Sequence, residues 1–207
     1  MLSIKACNIR YQDKVILNKI QFDVEKGVIQ NLIGNNGTGK STLLSAMNGE
    51  IFFDEMSILK DGKKVNPKNN YEIIMISSDF FGYEFLRSIE FIEYIGRLFR
   101  QDIKKSLAMA DALMQELKMT EFRNILIKNL SQGTKQKLAY IAMIVTTCEI
   151  VLFDEAFEHI DEDSIRVIKE KLEVEKNKRY IFNVSHTKIL NELDHADVDI
   201  EQIGGYS

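Results

Sequence analysis

The chain alternates short apolar runs with longer stretches in which apolar residues return every three or four positions. Compact runs between turn-formers read as strands, and the wider spacing reads as amphipathic helix. The runs predict strands at Ser3–Ile9, Ile20–Val24, Val28–Ile33, Glu72–Ser77, Ile150–Asp154 and Arg179–Val184. Val28–Ile33 and Ile150–Phe153 are nearly unbroken apolar runs, the composition of strands covered on both faces in a parallel sheet. From about Asp79 to Thr147 the pattern changes, with Leu107, Ala110, Leu113 and Leu117 falling on one helix face. The expected architecture is a single α/β domain: a mainly parallel core lobe (residues 1–78 and 149–207) with an N-terminal antiparallel part, split by an inserted helical lobe (79–148).

Composition narrows the class. A hydrophobic share of 45% and a charged share of 28% are ordinary for a globular domain. The net charge of -4 argues against bulk attraction to nucleic acid or anionic lipid. Cys7 and Cys148 have no metal-ligand spacing and lie in apolar runs, so packed, reduced thiols are expected. The first residues are too polar for a signal peptide, and no apolar run approaches the length of a membrane span. A cytoplasmic location is the corresponding expectation.

Two stretches carry chemistry. In NLIGNNGTGKSTLL (Asn31–Leu44), Gly34, Gly39, Lys40 and Ser41 fit the phosphate-loop spacing, after an apolar strand and before a helix bearing Leu43, Leu44 and Met47. Glycines let backbone N–H groups close around phosphate oxygens. Lys40 is placed to reach the β- and γ-phosphates, and the Ser41 hydroxyl to hold Mg²⁺. In EIVLFDE (Glu149–Glu155), a buried strand ends in two carboxylates. Asp154 suits the metal, and Glu155, one residue on, suits a base for an attacking water. A third stretch, Asn129–Met143, has a polar turn running into a helix whose N-terminus would attract an anion.

Together these motifs resemble the ATP-binding cassette (ABC) ATPases over nearly the whole chain. LSQGT at Leu130–Thr134 is similar to the signature loop L-S-G-G-Q, and IGNNGTGKSTLL matches the phosphate loop, including Asn36. LFDEAFEHID matches the strand-end carboxylates and the following loop closed by Asp161; IFNVSH matches the switch histidine, His186. The resemblance implies that Asn36, Gly37, Gly39, Lys40, Ser41 and Thr42 bind ATP, with Tyr11 against adenine. It implies that Ser41 and Asp154 hold Mg²⁺, and that Glu155 and His186 serve catalysis. It also implies a head-to-tail pair of cassettes, a homodimer or a dimer with a similar cassette. Each ATP then meets Ser131 and Gly133 of the opposite chain, with Asp161 near the junction. The implied partner is a separate membrane-spanning permease on the inner face of the cell membrane. The short, simple form of the chain, together with LSQGTKQKL, looks like bacterial exporter cassettes of the drug and peptide type. A non-transport ATPase of the superfamily and a weakly hydrolysing regulatory module are the alternatives.

Three positions depart from the family pattern. Ser78 stands where a glutamine is usual, Thr134 replaces the signature glutamine, and Ala156 replaces a common proline. Asp79–Phe99 holds seven of the nineteen aromatics, which suits a core, a groove for a partner helix, or both. Lys169–Arg179 reads as a solvated helix end.

Overall fold

A computed structural model describes residues 1–11, 14–51, 53–66, 71–77, 80, 82–185, 190 and 192–203, except the side chains of residues 7, 8, 11, 14 and 53–55. Its strands are β1 (Leu2–Tyr11), β2 (Lys14–Leu17), β3 (Ile20–Val24), β4 (Ile29–Ile33), β5 (Phe53–Lys60), β6 (Lys63–Val65), β7 (Ile73–Ile76), β8 (Ile150–Asp154), β9 (Tyr180–Val184) and β10 (His195–Asp199). Its helices are α1 (Lys40–Met47), α2 (Ser88–Leu98), α3 (Ile103–Glu116), α4 (Gln132–Ile144), α5 (Glu162–Glu175) and α6 (Ile200–Ile203).

The expected parallel and antiparallel parts are two separate sheets. Strands β10-β4-β9-β8-β7 run parallel, while β2-β1-β5-β6 are antiparallel with β3 also paired to β1. Alternation along the parallel strands explains their continuous apolar sequence. Val151, Phe153, Ile29 and Ile181 join a core shared with the helices, whereas Ile150, Leu152, Leu32 and Phe182 join a second core with α1 and the antiparallel sheet. With both faces covered, such strands are largely apolar, and the buried amides of Asn31 in β4 and Asn183 in β9 are hydrogen-bonded to each other at 3.0 Å. Each fully buried Leu, Ile or Phe contributes about 1.5–3 kcal/mol.

Helix α4 lies at the centre. Ten of its thirteen residues are buried, so it lacks the one-sided pattern of a surface helix. Arg179 closes its far end: its guanidinium donates to the carbonyls of Met143, Thr146 and Cys148 at 3.3, 2.9 and 3.1 Å, and to Glu175 at 2.6 Å. This corrects the solvated reading of Lys169–Arg179, because Lys176 and Arg179 are both buried. The carboxylates of Glu173, Asp194 and Glu175 make that burial tolerable.

Four strands escaped the sequence pattern: β2, β5, β6 and β10. Among the described residues, no helix is long and apolar enough to cross a membrane. Cys148 is buried as expected, and burial pushes its thiol up to about 11. The Cys7 side chain lies outside the described residues.

Candidate nucleotide-binding site

Strand β4 leads straight into the phosphate loop. Gly34, Gly37 and Gly39 have φ of 147°, 83° and 96°, backbone that favours glycine. Gly39 has a second constraint: a Cβ there would meet Ile16 Cγ2 at 2.8 Å and Leu17 Cγ at 3.0 Å. The turn therefore packs flush on β2, and α1 starts at Lys40, its first N–H groups left without partners inside the helix. A cavity of about 380 Å³ opens beside it, lined by Asn36, Gly37, Gly39, Lys40, Ser41 and Thr42, with Ile16, Glu155 and Val184 completing the wall. The Lys40 ammonium donates to the carbonyls of Gly34 and Asn35 at 2.8 and 3.0 Å, holding a cation over the loop.

The two carboxylates at the end of β8 sit across from α1. Ser41 Oγ donates to Asp154 Oδ1 at 2.9 Å, joining the two residues expected at a metal. Burial raises the Asp154 pKa, the Ser41 hydrogen bond opposes the rise, and the charges of Glu155, Glu50 and Glu158 add to it. A hydroxyl and a carboxylate among several negative charges are hard oxygen donors, which suits Mg²⁺. Glu155 has φ of 50°, in the left-handed region; its N–H donates to Val184 O at 2.9 Å.

The signature-like turn is a helix N-terminus of another kind. Ser131 caps α4, its hydroxyl accepting the Thr134 N–H at 3.2 Å and lying 2.7 Å from the Thr134 hydroxyl. Gly133 is buried, and a Cβ there would lie 2.1 Å from the His159 carbonyl oxygen. Asp161 caps α5 and accepts from Lys137 Nζ and Ser164 Oγ, both at 2.9 Å. Burial works against the ionised form of Asp161, but those donors outweigh it and hold the carboxyl well below its ordinary range.

A profile of the ABC transporter family matches residues 17–158, more than half of the chain. The chain belongs to that family. ABC ATP-binding proteins are ATPases, and the chain is an ATP-binding subunit of this kind. It is 25% identical over 211 residues to the phosphonates import ATP-binding protein of Fusobacterium nucleatum, covering 93% of this chain and 85% of that one. It is 28% identical over 198 residues to the energy-coupling factor transporter ATP-binding protein EcfA1 of the same organism, covering 91% and 74%. A putative ABC transporter ATP-binding protein from Pyrococcus furiosus shares the fold, with a TM-score of 0.78, 22% identity and 99% of each chain covered. The first of these proteins is named for import, so the exporter expectation finds no support.

Of the expected residues, the structure gathers Asn36, Gly37, Gly39, Lys40, Ser41, Thr42, Asp154 and Glu155 at one place. Ser131, Gly133 and Asp161 cluster elsewhere, where α4 meets the loop before α5. The Tyr11 side chain, His186 and Ser78 lie outside the described residues. Two residues went unnoticed in the sequence. Gln136 is 1% exposed; its amide donates to Glu155 O at 3.0 Å and accepts from His159 N at 2.9 Å. Lys137 donates to Leu117 O, Asp161 and Ser164. Both sit in the first half of α4, Gln132–Lys137, which is polar almost throughout, so no signal in the sequence singled them out.

Proposed function

We propose that this ABC cassette powers a membrane transporter by ATP-driven pairing with a second cassette, hydrolysing ATP at the junction. The observation that carries the reading is that, of the two anion-attracting helix N-termini the sequence marks, α1 borders the phosphate-loop cavity, whereas no residue of α4 lines it. In this reading Lys40 leaves its loop carbonyls for the phosphates, and Ser41 and Asp154 hold Mg²⁺, which neutralises phosphate charge. Glu155 takes the proton of the attacking water, and His186 and Tyr11 serve the γ-phosphate and adenine. Ser131 and the backbone around Gly133 meet the γ-phosphate of the other cassette's ATP, with Asp161 bracing that edge. The helical lobe is residues 79–148, and the core lobe is 1–78 and 149–207.

The second partner is a membrane-spanning permease, with the cassette held at the inner face of the membrane. A cavity of about 480 Å³ between β7 and the α2–α4 layer supports this, lined by Glu50, Met75, Phe80, Tyr83 and Leu98. The aromatic segment divides between core and surface: Phe80 and Phe91 are buried, Phe85 is 75% exposed, and Tyr94 is exposed at 41%. Phe81 lies outside the described residues. An exposed aromatic edge beside an apolar cleft fits a helix from such a partner.

Mixing two inactive variants tests the pairing. Lys40→Ala removes the phosphate cation, and Ser131→Arg fills the space for the other cassette's γ-phosphate. In a mixed twofold dimer one site combines only intact halves, so turnover should return to about a quarter of the parent's with random mixing and independent sites. ATP-dependent dimerisation of Glu155→Gln is measured alongside. A Glu155→Gln chain that stays monomeric in saturating ATP, with a Ser131→Arg chain as active as the parent, overturns the reading.

A further inference from the structure

We infer that Gln136 is a positioning residue for Glu155, fixing the backbone that aims its carboxylate. The inference rests on the reading of Glu155 as the hydrolytic base and deepens it. Glu155 has a left-handed backbone, with φ of 50°. A non-glycine residue keeps that conformation only where its surroundings hold it there. Two hydrogen bonds do so on the main chain of Glu155 itself. Its N–H is tied to Val184 O at the end of β9, and its carbonyl accepts the Gln136 side-chain amide at 3.0 Å. One bond anchors the residue to the sheet and the other to α4.

Gln136 is itself held. Its Oε1 accepts the His159 N–H at 2.9 Å, so the amide spans the loop from Glu155 to His159 and cannot rotate without losing one bond. It is 1% exposed, so water does not compete for either partner. Gly133, whose missing Cβ lets His159 O approach, and Lys137, bonded to Asp161, attach the rest of the loop to the same helix. Gln136 is the member of this group whose bond falls on Glu155. A base displaced by about 1 Å loses on the order of a hundredfold in rate, so a bond that sets its backbone angle sets turnover.

A purely structural role, satisfying two buried polar groups, makes a different prediction for turnover. Gln136→Glu keeps the volume and the acceptor for His159 N–H, but sets a carboxylate oxygen against the Glu155 carbonyl. Gln136→Met removes both bonds. Steady-state turnover and nucleotide affinity of the full chain are measured for both variants, each alone and combined with Glu155→Gln. Positioning predicts that kcat falls roughly tenfold to a hundredfold while KM for ATP stays within about twofold. In the Glu155→Gln chain the same substitutions should change residual single-turnover hydrolysis by less than about twofold, because the group they aim is already gone. A Gln136→Glu chain with parental kcat overturns the inference, as does an equal fold loss in both backgrounds. If Gln136→Met fails to fold, Gln136→Glu decides. A Glu155→Gln chain that turns over like the parent refutes the base reading instead.

Discussion

The two helix N-termini differ in what surrounds them. At α1 the loop is open: a Cβ at Gly37 would meet nothing within 4 Å, and the surrounding residues wall a cavity. At α4 the loop is closed on its own chain, with Ser131 engaged by Thr134 and Gly133 pressed on His159 O. Their carboxylates differ in the same sense. Burial and neighbouring acids disfavour the charge on Asp154, while burial at Asp161 is overcome by Lys137 and Ser164. One end leaves an open cavity beside its loop. The other is satisfied within its own chain.

The largest effect should come from removing the cation of the open loop. Lys40→Ala should weaken ATP binding by the isolated chain roughly 10- to 100-fold, since charge-assisted bonds contribute about 1.5–3 kcal/mol. Ser131→Ala should leave that binding unchanged, as read by equilibrium titration. Equal losses for both variants would erase the distinction between the loops.

Gly133→Ala tests the closed loop. The new methyl must displace a backbone carbonyl, and overpacking of this kind costs about 1–3 kcal/mol. Melting temperature should fall by roughly 2–4 °C per kcal/mol in a chain of this size. Turnover should fall further than melting alone explains, because the loop pushed aside runs from Glu155.

The smallest effect sharpens the electrostatic contrast, because the two aspartates should change stability in opposite directions. The raised pKa of Asp154 means its contribution is favourable below the unfolded value, about 3.9, and is lost as pH rises through the folded value. Asp154→Asn should therefore stabilise the nucleotide-free chain at pH 7. The lowered pKa of Asp161 gives stability above about pH 4 that is lost as pH falls. Asp161→Asn should destabilise at pH 7 by on the order of 1 kcal/mol or less, given the exposure of that carboxylate. Denaturant melts at pH 7 and pH 3.5 check both signs: the Asp154 effect should fade at the lower pH, whereas the Asp161 effect should largely persist there, because that carboxyl stays ionised well below the ordinary range.

The sequence was most legible where one local rule dominates. Strands β4, β8 and β9 were readable because two cores demand mostly apolar residues on both faces, and the phosphate loop because its glycines hold positive φ. Strand β10 was not, because HADVD is polar and mostly exposed; it is a strand through its pairing with β4, a partner far away in sequence. Charged edges of that sort also discourage stray pairing. Strand β5 hides its alternation behind Asp54, Glu55 and Lys60 in sequence; among its described side chains only Ile58 is buried. At the site, residue types singled out Lys40, Ser41 and Asp154 as candidates, and the fold brings Ser41 and Asp154 within hydrogen-bond distance. The task of Gln136 depends on where residues 155–159 return, which one-dimensional spacing does not encode. Thr134 departs from the family glutamine, yet its hydroxyl reaches Ser131, a contact that only the folded turn reveals.

The strand order of the parallel sheet also sets a schedule. Strand β4, which carries the phosphate loop, pairs only with β9 and β10. When the chain emerges from a ribosome, the antiparallel strands β1, β2, β3, β5 and β6 find one another within the first third of synthesis. The phosphate-loop strand waits for neighbours some 150 residues downstream. Loop closure over such a span is slow. The nascent protein therefore holds the strand that carries the phosphate loop without its sheet partners for most of translation, and ATP recognition is among the last properties it acquires.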